Sequence, residues 1–162
     1  MSLLDRLVKS VGILTSWLTI CLVLVIVIDV FFRYVFSLTT SASFELEWHF
    51  FALIFLLGAG WTLQEDRHVR VDVFYQRCSE KGKAWINLIG TCTLLLPFCI
   101  VTFVESLSFV RASFEVGETS PDPGGLPFRY LIKAAIPAGL LLLGLQGISE
   151  ALKSVRKIVG HA

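Results

Sequence analysis

His49 stands beside Glu45 and Glu47 at the head of an apolar run, and an imidazole there could serve a haem iron. Haem anchors usually take two axial ligands from membrane spans. Here the other histidines, His68 and His161, fall in a loop and in the C-terminal tail. A hydrogen bond at a membrane interface is the reading these residues favour. Asp29 and Arg33, four apart on one helix face, could form part of an ion path or a mutually neutralised pair. Lying within about two helical turns of the interface, they favour the neutral pair. The four cysteines raise quinone-linked thiol chemistry, which needs pairs near the surface. Cys21, Cys92 and Cys99 lie in apolar runs, Cys78 stands alone, and no C-x-x-C occurs. They read as small buried hydrophobes. No catalytic, cofactor-binding or metal-binding residue is expected.

The elements that carry these residues follow from composition. The 162 residues are 55% hydrophobic and 17% charged, where a globular chain carries about a quarter charged residues. Four runs lack Asp, Glu, Lys and Arg: Ser10–Ile28, Trp48–Leu63, Ala84–Val104 and Ala134–Ser149. A helix needs roughly 20 mostly apolar residues to cross the hydrocarbon core. The first and third runs suffice alone; the second and fourth do so if Glu45, Glu47 and Lys133 reach the headgroups. The expectation is one all-α integral membrane domain over residues 1–162, with spans at about 11–36, 45–63, 84–108 and 127–152. Arg6 and Lys9 before the first run resemble a signal peptide, but a signal's apolar core is only about 7–15 residues. An uncleaved anchor with a short amphipathic lead from Leu3 to Val8 is expected instead.

Basic residues orient the bundle. Ten of the fourteen fall in the N-terminal lead, the loop after the second span, and the tail. Arg33, Arg111, Arg129 and Lys133 are left on the opposite side with seven acids. Both termini should face the cytoplasm. Trp17, Trp61 and Trp85 then fall near inner ends, and Tyr34, Trp48 and Tyr130 near outer ends, as interfacial anchors do. The loop "EDRHVRVDVFYQRCSEKGK" alternates valines like a strand, but an isolated strand has no partner. A short interfacial helix starting near Asp72 is favoured.

The stretch "ETSPDPGGLPFR", Glu118–Arg129, interrupts this apolar sequence between spans three and four. Pro123 and Gly124 suit a type II turn over Asp122–Gly125, and Pro127 suits the first turn of span four. With Pro121 the segment should be stiff, and a prefolded loop loses little entropy on docking. Its charges, Glu115, Glu118, Asp122 and Arg129, are therefore candidates for meeting a partner, against the alternative of a plain connector.

No carboxylate, Lys, Arg or His falls near the midplane of any span, where ion-coupled carriers usually keep one. Pro97, in "TLLLPFCIV", offers little to a substrate. Small residues are plentiful instead: Gly58, Ala59 and Gly60, then Ala134/Ala138 and Ala135/Gly139 at small-xxx-small spacing, with Gly144 and Gly147 beyond. The chain reads as a partner subunit. A haem or quinone anchor of a respiratory enzyme is the alternative, and a stand-alone channel a third reading.

At "DVFFRYVF", "FELEWHFFALIFLLGA", "HVRVDVFY" and "ETSPDPGGLPFRYLIKAAIPAGLLLLGLQG" the chain resembles the small membrane subunit (DctQ-like) of tripartite ATP-independent periplasmic, or TRAP, transporters. The four stretches occur in the family's order and are spread from Asp29 to Gly147. The resemblance implies a bacterial inner-membrane subunit paired with a large DctM-like permease. That permease would carry the substrate and sodium sites and move as an elevator, with this chain extending its scaffold. A DctP-like periplasmic binding protein would deliver an organic acid. Membrane lipids are the other expected partners; nucleic acid is not one. By this likeness Arg33, Glu45, His68, Arg70 and Asp72 match recurrent polar positions without a catalytic role, and stand as structural or interface candidates. The final segment looks most like subunits of systems for keto acids, mannitol or chloroaromatic compounds, which leaves the substrate open.

Overall fold

The computed structural model describes residues 3–65, 75 and 78–160. Its helices are α1 (Leu3–Phe36), α2 (Ser41–Gln64), α3 (Glu80–Gly90), α4 (Leu96–Glu115), α5 (Arg129–Lys133) and α6 (Ala135–Val159). One π-helical turn, Thr91–Leu95, joins α3 to α4. Among the described residues there is no strand. Four stretches are long and apolar enough to cross a membrane: Leu3–Phe36, Ser41–Gln64, Glu80–Glu115 and Arg129–Val159. This is an all-α, four-span membrane protein.

Local chemistry sets the boundaries. α1 runs straight through the expected lead from Leu3, with no break before its apolar run. At about 1.5 Å per residue its 34 residues outreach a hydrocarbon core of roughly 30 Å, so its ends emerge from it. Thr40 caps α2, its hydroxyl accepting the Ser43 N–H at 3.2 Å, and Ser79 caps α3 by accepting the Gly82 N–H at 3.2 Å. The π turn precedes Pro97. A proline clashes with the carbonyl four residues back, here Thr93, and the widened turn lies at that residue. Pro137 acts likewise on Lys133, the last residue of α5, and the helix restarts at Ala135.

α6 is the hub of the bundle. It packs against α1, α2, α3 and α4, whereas α2 and α3 flank it without packing on each other. Of the apolar window in the α5–α6 span, 44% is buried, against 6–11% in the other three. Small residues permit this. A Cβ on Gly139 would stand 2.5 Å from the Leu56 carbonyl oxygen, and one on Gly60 would stand 3.2 Å from that of Leu142. The α2–α6 crossing is therefore a backbone-to-backbone approach within the chain. Gly147 instead makes room for the Leu95 side chain, whereas Gly58 meets nothing. Two of the cysteines depart from expectation. Cys99 is buried, but Cys21 and Cys92 are exposed on their helices, because those helices turn most of their surface outward.

Candidate functional site

Polar side chains gather at both ends of the bundle. At the end away from the termini, the 118–129 segment folds into a compact knot. The Asp122 carbonyl accepts the Gly125 N–H at 3.0 Å and Gly124 takes φ +75°, the geometry of a type II turn. The Ser120 N–H reaches the Leu126 carbonyl at 3.2 Å, and the Arg129 N–H reaches that of Glu118 at 3.0 Å. Pro127 does not open the span-four helix. Phe128, with φ +61°, precedes Arg129, the first helical residue. The backbone thus turns through a left-handed residue after Pro127 before the helix begins.

Glu45 is the centre of this knot. It projects from the first turns of α2 and is 2% exposed. Its Oε1 accepts the Ser120 hydroxyl and the Arg129 Nη2 at 2.7 Å, and its Oε2 accepts the Leu126 N–H at 2.6 Å. One carboxylate therefore ties α2 to the loop and to α5 through charge-assisted bonds. Gly125 closes the fit: a Cβ there would lie 2.9 Å from Glu45 Oε2. Arg129 also lies over the Trp48 ring, 5.8 Å from its centroid. Beside it Lys133 donates to Glu118, with its Nζ 4.0 Å from the Phe109 ring centroid. Lys133's hydrogen bond is the main reason the Glu118 carboxyl is held below its ordinary range. Two of the loop charges expected to face a partner, Glu118 and Arg129, are thus engaged within the chain. Glu115 pairs with Arg111 on the exposed surface.

The other sequence candidates divide. Arg33 bonds Asp29 on its own helix, with Asp29 buried and Arg33 half-exposed. Arg33 also borders a hollow shared with Thr39, Thr40 and Asp122, so α1 and the Asp122 turn face each other there. His49 donates from Nδ1 to the Glu45 carbonyl, and its ring lies 3.9 Å from that of Trp48. Pro121 and Pro123 stiffen the turn from the exposed side. His68, Arg70 and Asp72, and with them the proposed interfacial helix, lie outside the described residues.

A second cluster at the terminal end escaped the sequence reading. Asp5, 2% exposed, accepts from Ser149 Oγ at 2.8 Å, Lys153 Nζ at 3.0 Å and Gln146 Nε2 at 3.2 Å. Glu150 accepts from Gln146 at 2.9 Å and from Lys153 at 2.8 Å. The start of α1 is pinned to the end of α6. The available signal was the spacing of Gln146, Ser149, Glu150 and Lys153 on one helical face, but Asp5 as their partner lies 141 residues before Gln146.

Both clusters join helix to helix or loop, and the carboxylates of Glu45, Asp5 and Glu150 accept donors from the same chain. That is the chemistry of a framework. With three spans packed on a central fourth, the class is a helical membrane subunit. The family model for the DctQ component of tripartite ATP-independent periplasmic transporters matches residues 22–157, and the chain belongs to that family. No curated protein matches the chain.

Proposed function

We propose that the chain is the small permease subunit of a sodium-coupled TRAP transporter in a bacterial inner membrane, with both termini cytoplasmic. In this reading it does no chemistry and carries no substrate. It widens the fixed scaffold against which a large DctM-like permease moves an organic acid handed over by a DctP-like binding protein. The family match over most of the chain carries the reading.

Glu105 supports it physically. This carboxylate is exposed on α4 and makes no ion pair among the described residues, beside exposed Val101, Val104 and Phe109. It lies ten residues, about 15 Å, from the helix end at Glu115. A charge on a bilayer-facing surface is costly unless paired, so a basic residue of the large permease is its natural counterpart. The test is co-purification of a tagged chain with the large permease. The wild type should bring the permease down, and Glu105→Gln should bring down less while keeping its own melting temperature. Failure of the wild-type chain to hold any large permease would refute the subunit reading.

A further inference from the structure

We infer that the hollow between the α1–α2 connection and the Asp122 turn receives a basic side chain of the soluble binding protein. This rests on the subunit reading above and adds the contact to it. Charge pairing points to the place. Among the described residues, each base at this end of the bundle is paired within the chain: Arg33 with Asp29, Arg111 with Glu115, Arg129 with Glu45 and Lys133 with Glu118. Glu47, Glu105 and Asp122 are left without a base. Glu105 lies well down α4 and Glu47 beyond the first turn of α2. Asp122 stands exposed on the knot. Its backbone is held on both sides: the N–H donates to Ser120 Oγ at 3.1 Å, and the carbonyl accepts the Gly125 N–H at 3.0 Å. Its carboxylate bonds to nothing among the described residues, so the turn does not use that charge.

The lining fits a cation. The hollow has a volume of about 470 Å³ and is lined by Arg33, Thr39, Thr40, Ser41, Phe44 and Asp122. Asp29 answers the charge of Arg33, so the lining carries one unanswered negative charge. The hydroxyls of Thr39 and Ser41 make no hydrogen bond among the described residues and add acceptors, and Phe44, 63% exposed, adds a ring face. A guanidinium or ammonium offers only donors and is drawn to ring faces. An anion would find Arg33 already taken by Asp29. The position selects a partner that arrives from water. α1 ends at Phe36 and α2 begins at Ser41, so the hollow lies over helix ends, whereas a permease in the bilayer packs along helix sides. The stiff turn loses little entropy on docking, and a surplus of acids steers a basic surface toward it.

The experiment titrates loaded binding protein into uptake by proteoliposomes that hold the chain and the large permease. Asp122→Asn should raise the half-saturating concentration of binding protein about two- to fivefold, the range of one exposed ion pair. Asp122→Arg should raise it about tenfold or more, since like charges would then meet. The maximal rate and the yield of co-purified permease should stay at wild-type levels in both. Glu115→Gln removes the same charge at a site already paired with Arg111 and should titrate as wild type does. Reversing the binding protein's surface bases to Glu one at a time should yield one variant that restores half-saturation with Asp122→Arg. An unchanged half-saturating concentration in Asp122→Arg would overturn the inference while leaving the subunit reading standing, because that reading is tested by the permease that the wild type holds. So would an equal rise in Glu115→Gln, which would mean a diffuse field, the absence of any restoring reversal, or a loss of permease from Asp122→Arg, which would make the permease the occupant.

Discussion

At the scale of single residues, Glu45 has the most to lose. Its two oxygens accept three donors from the loop and α5, and removing the carboxylate leaves Arg129 and the Leu126 N–H without their acceptor in a nearly closed site. Glu45→Ala should lower the melting temperature of the purified chain clearly. Glu45→Gln should do so less, since one oxygen is kept while an amide faces donors. Melting unchanged in both would mean that the knot is not held by this residue. Glu118 adds a pH dependence. Its folded carboxyl is held low, chiefly by the hydrogen bond from Lys133. The stability it contributes is therefore present above the ordinary glutamate value of about 4.3 and is lost as pH falls through the lowered value. Melting wild type beside Glu118→Gln from pH 7 downward checks the sign. The gap between them should hold to about pH 5 and close in stronger acid; a gap that widens on acidification would contradict the assignment.

At the scale of elements, α6 is the part that tolerates least. The Leu56 carbonyl approaches Gly139 so closely that any side chain must push two helix backbones apart. Gly139→Val should destabilise the chain by about 1–3 kcal/mol or more, the usual cost of overpacking. Gly58→Ala, where a Cβ meets nothing, should be neutral; the pair is read by thermal melting in detergent. The contrast also shows how far sequence can be read at this scale. Small-residue spacing marked Gly58, Gly60 and Gly139 alike, because spacing records only that a backbone can come close, and the facing helix decides which one does. The charge-free runs identified the four spans, because burying charge in hydrocarbon is costly whatever the tertiary packing. The turn at Asp122–Gly125 was legible since proline and glycine fix φ locally. Pro127 was not placed correctly, because the left-handed Phe128 depends on the knot around it. The Glu45 centre was half-visible: Glu45 and Arg129 were both candidates, but their pairing spans 84 residues. Asp5 and Gln146 were missed for the same reason.

At the scale of the molecule, the two polar clusters sit at opposite ends of one apolar bundle, and a single orientation should serve both. Cysteines placed singly at Thr39, Ser79 and Asp122, in a chain freed of its own four, should divide in intact cells. Thr39 and Asp122 should react with an impermeant maleimide and Ser79 should not, as the distribution of Lys and Arg requires; labelling of Ser79 alone would invert the molecule. The central claim is that this bundle is a framework for another subunit's transport. Sodium-driven uptake of an organic acid by proteoliposomes measures it directly. The chain alone should give none, and the chain with its large permease and a loaded binding protein should give robust uptake that disappears when the chain is omitted. Uptake by the isolated chain, or undiminished uptake without it, would contradict the account.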